Sequence, residues 1–220
     1  MYSWIELALG APSLRGVPIC KKDLKEYIKK AHKGEFKLGP DLYRSMYLYP
    51  DEAIPNQGKF KTKDYFGKRA IDWIILDVDK GKNTDEYTYD KAFEVIKILK
   101  EIGLSEEHWL IYFSGTGYNI HLSSDVFNFK PSEHLPIEVK ETIDSIFGQI
   151  IDTTIFGHVS LYRVPFTQNH KSGLYKIPIS TSRFKRTSPS NIKKLAKDIR
   201  NVSWSEINNP IGNGELHLLI

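Results

Sequence analysis

The spacing of apolar residues changes several times along the chain, and each change marks an element. "KKDLKEYIKKAHKG" (21–34) reads as a short basic helix that stops at Gly34. Residues 34–68 hold many turn formers and no sustained period, which predicts irregular chain with short strands. "RAIDWIILDV" (69–78) is rich in bulky apolar residues and fits a buried strand. Beyond the polar loop "KGKNTDE", Phe93, Ile96, Leu99 and Ile102 recur at helical spacing, with Gly103 as the stop. "HWLIYF" (108–113) is a second strand, "SGTG" a turn, and "YNIHLS" (118–123) the returning arm of a hairpin. A helix across about 136–149, strands at 158–165 and 174–180, and a last helix opened by Ser188 and Pro189 complete the series.

From residue 69 to 165 the order is strand, helix, strand, strand, helix, strand, the split β-α-β arrangement. The expectation is therefore an α+β fold in one domain spanning 1–220. Its RRM-like core lies at about 69–180, an N-terminal flank at 1–68, and a C-terminal helix and tail at 181–220. Fold alone says little about function.

Composition narrows the field modestly. The 220 residues are 40% hydrophobic and 26% charged, ordinary for one globular domain. A net charge of +4 admits a nucleic-acid partner without demanding one. The single cysteine, Cys20, excludes an intramolecular disulfide and a cysteine-rich zinc module. "MYSWIELALG" lacks the basic flank and long apolar core of a secretion signal, and no apolar run approaches the roughly 20 residues that span a bilayer. A cytoplasmic protein without a membrane partner is expected.

The candidate chemistry starts at "IILDVDKG" (74–81). Side chains two apart on a strand share a face, so Asp77 and Asp79 project together. Two carboxylates this close raise the cost of ionising each other, and a divalent cation such as Mg²⁺ or Mn²⁺ relieves that repulsion. A bare D-x-D also describes a strand end running into a solvated acidic loop. Asp152, at the hand-over from the second long helix to the fourth strand, adds a third carboxylate and points to a two-metal phosphoryl-transfer site. Asp72, Asp85, Asp90 and Asp144 read as helix or loop acids. In "FSGTGYNIHLS", Gly115 and Gly117 allow a tight turn and close approach to a phosphate, with Ser114 and His121 as donors. "YRVPFTQNHKSGLYKIP" adds Arg163, Asn169, His170 and Lys171.

Together, "LDVD", "SGTGYNIHL" and "DTTIFGHVSLYRVPFTQNHKSGLYKIPI" resemble, in order and spacing, the three motifs of the archaeo-eukaryotic primases and primase-polymerases. The likeness covers roughly residues 40 to 180, and "DLYRSMYLYP" resembles an early strand in which members carry an arginine, here Arg44. It implies Asp77, Asp79 and Asp152 on two metal ions. It also implies Ser114, His121, Arg163, Asn169 and Lys171 around the phosphates of a nucleoside triphosphate. The family's motif histidine corresponds to His121 or to the position of Asn119. The zinc knuckle of many cellular members is absent, which favours a compact viral, phage or plasmid type. A helicase or an accessory primase domain or subunit is an implied partner.

"GKFKTKDYFGKR" (58–69) interleaves Lys59, Lys61, Lys63, Lys68 and Arg69 with Phe60, Tyr65 and Phe66. Such a surface tracks a backbone and stacks bases of a single-stranded DNA template, although the aromatics equally suit the core. Two other classes stay open: a catalytically silent single-strand-binding domain on an RRM-like scaffold, and a metal-dependent nuclease.

Overall fold

The computed structural model describes residues 1–55 and 60–202. Lys59 and the tail from residue 203 lie outside the described residues. The chain opens with two antiparallel strands, β1 (Tyr2–Leu9) and β2 (Arg15–Cys20), followed by helix α1 (Leu24–His32). Strands β3 (Leu42–Ser45) and β4 (Tyr47–Pro50) follow, placed where short strands were expected. They share the free edge of β1, β3 against Leu7–Leu9 and β4 against Tyr2 and Trp4. The N-terminus thus supplies the centre of a sheet, which the sequence reading did not anticipate. Ile5, Leu7, Ile19, Leu24, Ile28 and Leu42 form its core.

The strand predicted at 69–78 is broken in two. β5 (Ala70–Ile71) pairs with β4 in the first sheet, and β6 (Trp73–Val78) belongs to a second sheet. Asp72 is the residue of passage. Its buried carboxylate is held by Arg44 at 3.0 Å and Lys21 at 2.8 Å. Although burial opposes ionisation, these two cations hold the carboxyl well below the usual range. The reading of Asp72 as a plain loop acid is corrected: it is an ionic staple between the two sheets.

Helix α2 (Asp85–Glu101) is capped by Thr84, whose hydroxyl accepts from the Tyr87 N–H. The hairpin of β7 (Trp109–Phe113) and β8 (Tyr118–Ser123) and helix α3 (Leu135–Phe147) match their predicted places. β9 (Leu161–Arg163) does not. It is shorter than predicted and pairs with β3, in the first sheet. The second sheet is completed by β10 (Ile177–Ile179), in the order β10-β7-β8-β6. Helices α4 (Thr181–Phe184) and α5 (Pro189–Leu195) close the described chain, with the Ser188 hydroxyl capping α5.

The fold is α+β, but the split β-α-β sheet is not formed as expected. The edge of β6, where a fourth strand would lie, is met by a 3-10 turn at Thr153–Phe156. Asp152 caps this turn, its side chain accepting from the Thr154 N–H, a local bond that competes with an extended path.

The two faces of the second sheet differ. Ile74, Leu76, Ile111, Ile120 and Leu122 join the core shared with Val95, Ile96, Leu99, Val139 and Ile143 of α2 and α3. The opposite face carries Asp77, Asn119, His121 and Tyr112.

Candidate active site

Asp77 is the penultimate residue of β6, half-buried, with Asn119 opposite it on β8; the Asn119 amide donates to Asp77 Oδ1 at 2.6 Å. Asp79 is exposed just past the strand end, its Oδ1 accepting from the Lys80 N–H at 2.9 Å. Asp152 arrives by main-chain pairing. Its N–H donates to the Asp77 carbonyl at 3.0 Å, so one residue of the missing fourth strand does run along β6. Asp152 Oδ1 takes the Thr154 N–H at 2.9 Å and its hydroxyl at 2.6 Å. The three aspartates line one cleft of about 520 Å³ with Tyr87, Thr88 and Lys91 of α2.

Burial pushes the Asp77 carboxyl up to about 7, with Asp79 adding to the shift. Lys176 opposes it, Asp152 adds again, and the Asn119 bond opposes. As the side chains stand, no three His, Cys, Asp or Glu residues among the described residues are grouped closely enough to hold a metal ion. The donor chemistry nevertheless fits a hard divalent cation. Each aspartate has Oδ1 tied locally, and Oδ2 of each takes no hydrogen bond among the described residues.

The glycine hairpin packs against this edge. A Cβ on Gly117 would lie 2.4 Å from the Val78 carbonyl oxygen, so only glycine permits the approach. Gly115 sits at φ +93°, and a Cβ there would meet Ser172 Oγ at 3.1 Å. The hairpin is therefore gripped between the aspartate strand and the turn at 169–173. Ser114 closes it, Oγ accepting from the Gly117 N–H at 3.0 Å.

The remaining predicted residues divide. Lys171 is exposed. Arg163 lies inward, donating to the Ser114 carbonyl at 2.5 Å and standing 3.3 Å from Asp41. Asn169 is buried, and its Oδ1 accepts from the Lys171 and Ser172 N–H groups at 2.8 and 3.2 Å. His121 is buried beside Lys176, whose Nζ is 3.2 Å from Nε2. Burial holds this imidazole well below its usual range, with Lys176 and then Arg44 adding to the effect.

In the basic stretch Lys61, Lys63 and Lys68 are exposed, as is Phe66. Arg69 is not a template residue on this geometry. It is fully buried, donates to the Tyr65 carbonyl at 2.9 Å, and lies 2.8 Å from His158 Nδ1. Phe60 is likewise core, edge-on to Tyr49.

Two residues near the site escaped the sequence reading. Lys176 is a fully buried lysine within an apolar strand segment, and that oddity of "LYKIPIS" was its signal. Asp41, equally buried, precedes β3 with nothing in its neighbourhood to single it out.

No family model matches the chain, and no curated protein matches it. Among solved structures it is similar to the polymerase domain of Mycobacterium tuberculosis Ligase D, determined in complex with DNA. The identity is 13% and the TM-score 0.43, over 72% of this chain and 60% of that chain. A likeness at that level carries no part of the functional argument.

Proposed function

We propose that the chain is a template-directed nucleotidyltransferase of the primase-polymerase kind, acting on single-stranded DNA with nucleoside triphosphates as substrates. The observation that supports the reading is the Asp152 N–H on the Asp77 carbonyl, which sets Asp152 beside the strand that carries the pair, with all three aspartates lining one cleft. Support comes from the strained ionisation of Asp77 and from the glycine hairpin pressed against the same strand end.

In this reading Asp77, Asp79 and Asp152 hold two Mg²⁺ or Mn²⁺ ions. Such ions, when bound, activate an attacking hydroxyl and neutralise the leaving pyrophosphate. Asn119 fixes the Asp77 carboxylate by its amide bond, and Thr154 fixes Asp152. The room that Gly115 and Gly117 leave is taken by the turn at 169–173 and by the Val78 carbonyl, so in this reading the hairpin braces the end of the aspartate strand. Lys61, Lys63, Lys68 and Phe66 form the surface proposed for the template strand.

The test is extension of a primed single-stranded template with labelled nucleotides and Mg²⁺ or Mn²⁺, by the parent and by Asp77→Asn/Asp79→Asn. Synthesis by the parent and its loss by several orders of magnitude in the variant are expected, with single-strand affinity kept. A parent that binds single strands but never extends them would favour the silent binding module. That second reading draws on the three carboxylates not closing into a metal cluster on their own.

A further inference from the structure

From Lys21 to Lys37 the chain holds seven lysines against three acids, Asp23, Glu26 and Glu35. The surplus of four positive charges in this stretch equals that of the whole chain. Helix α1 lies within it. Leu24, Ile28 and Ala31 are its buried residues, and the first two share a core cluster with Ile5 and Leu7 of β1. Lys22, Lys25, Lys29 and Lys33 follow at three- and four-residue spacing on the outer side, all exposed except the half-buried Lys25. Among the described residues Lys22, Lys25 and Lys29 enter no ion pair, nor does Glu26 on the same helix, and Lys33 has only Glu35 at 4.0 Å. Helix α2 is built the other way, with Lys91 on Glu94, Lys97 on Glu101 and Lys100 on Glu106. Like charges at this spacing destabilise a helix, and no ion pair among the described residues offsets them on α1.

This basic face is separate from the surface proposed for the template strand. Successive residues of β1 point to opposite sides of the first sheet. Ile5 and Leu7 meet α1, whereas the Glu6 carboxylate between them accepts from the Thr62 hydroxyl at 2.7 Å. Glu6 thereby holds the segment of Lys61, Lys63 and Lys68 on the reverse side, and the two basic surfaces stand back to back. At its far end α1 is fixed by His32, whose Nε2–H donates to the Phe166 carbonyl at 2.7 Å and whose ring meets Tyr175 edge-on. The Tyr175 N–H donates to the Ala196 carbonyl at 2.8 Å, which brings exposed Lys197 to that end.

The face offers charge without a stacking platform. Tyr27 is half-buried with Lys30 Nζ 4.6 Å from its ring centre, and Phe36 packs against the core. A single strand needs exposed rings on which to stack its bases, as Phe66 supplies on the other side. A duplex has its bases already stacked and presents a dense row of phosphates, about one charge per 1.7 Å of axis. A lipid surface also attracts lysines, but the apolar stripe of α1 that would enter it is already in the core.

We infer that Lys22, Lys25, Lys29 and Lys33 form a docking surface for the phosphate backbone of duplex DNA, gripped without regard to base sequence. The surface lies outside the stretch that carries the primase-polymerase likeness, and it stands whether or not the chain transfers nucleotides.

Fluorescence anisotropy with a short labelled duplex and with the matching single strand tests this across several salt concentrations. The proteins are the parent, Lys25→Gln/Lys29→Gln/Lys33→Gln, the charge-keeping Lys25→Arg/Lys29→Arg/Lys33→Arg, and Lys61→Ala/Lys63→Ala. Each lost phosphate contact lowers the slope of log affinity against log salt by about 0.9, so the Gln variant should bind duplex about tenfold or more weakly, with a shallower slope. Its single-strand affinity should stay, as should the duplex affinity of the Arg variant and of Lys61→Ala/Lys63→Ala. A parent that does not bind duplex, a Gln variant that binds it like the parent, or equal losses on duplex and single strand would overturn the surface. An Arg variant as weak as the Gln variant would do the same, since charge would not be the cause. Vesicles of phosphatidylserine and phosphatidylcholine form the last arm. Capture of the parent that is lost in the Gln variant, beside unchanged duplex affinity, would reassign the face to lipid and overturn the inference.

Discussion

Replacing Asp77 by Asn should stabilise the metal-free protein, and by an amount that depends on pH. The carboxyl moves from an ordinary 3.8 to about 7 on folding. Below both values the group is protonated in the folded and the unfolded chain, and it has no effect. As pH rises from about 4 the unfolded chain ionises freely while the folded one resists, so stability is lost up to about pH 7 and then levels. Three units correspond to about 4 kcal/mol, and solvent reaching the half-buried group trims this to about 2–4 kcal/mol. Asn keeps the shape and the acceptor for Asn119 but removes the charge. Urea unfolding in chelator should show the variant about 2–4 kcal/mol more stable than the parent at pH 8, and equal to it near pH 4. Added Mn²⁺ should then stabilise the parent at pH 8 and leave the variant nearly unmoved. A difference between the two proteins that stays constant from pH 4 to 8 would refute the reasoning, since no strained carboxyl would be titrating.

Four further outcomes follow from where the structure places these side chains. Asp72→Ala leaves Arg44 buried without its carboxylate and should cost about 3–5 kcal/mol in urea unfolding; a loss below about 1 kcal/mol would deny the staple. Gly117→Ala must displace the Val78 carbonyl, so a loss of about 1–3 kcal/mol with weaker Mn²⁺ binding is expected, and a neutral change would mean the hairpin is free of the strand. Lys61→Ala/Lys63→Ala should weaken single-strand binding and flatten its salt dependence, read by fluorescence anisotropy at several salt concentrations. Arg69→Ala should instead lower the melting temperature, reversing the role its position in the basic run implies.

Helices α1, α2, α3 and α5, the β7–β8 hairpin and the end of β6 were legible because each is dictated locally, by period, caps and turn glycines, whereas the four-residue α4 is too short to show a period. Asp77 and Asp79 could be paired from the strand's two-residue repeat alone. Asp152 could be named but not placed, and the structure brings it to β6 through one backbone bond instead of the expected strand. What stayed hidden was partnership at long range. Nothing in "HVSLYRVP" tells which sheet its strand joins, since an apolar strand fits either. Arg69 reads like its lysine neighbours until Tyr47 and Tyr65 are seen around it. Asp41 and His170 lie far apart in sequence, and only the fold makes them a pair.

The pairing of β9 with β3 also bears on how the chain reaches its native state. Arg44 lies opposite Tyr162, and nearly all of the second sheet is threaded between them in sequence. The first sheet is therefore unfinished until residues beyond the second long helix have been made. Its closure carries the entropy of a very long loop unless the intervening sheet and helices have already condensed. The sequence-local β7–β8 hairpin with α2 is the natural early nucleus, and the β3–β9 contact the late one. Changes in β9 should consequently speed unfolding with little effect on the refolding rate, whereas changes in the hairpin should slow refolding.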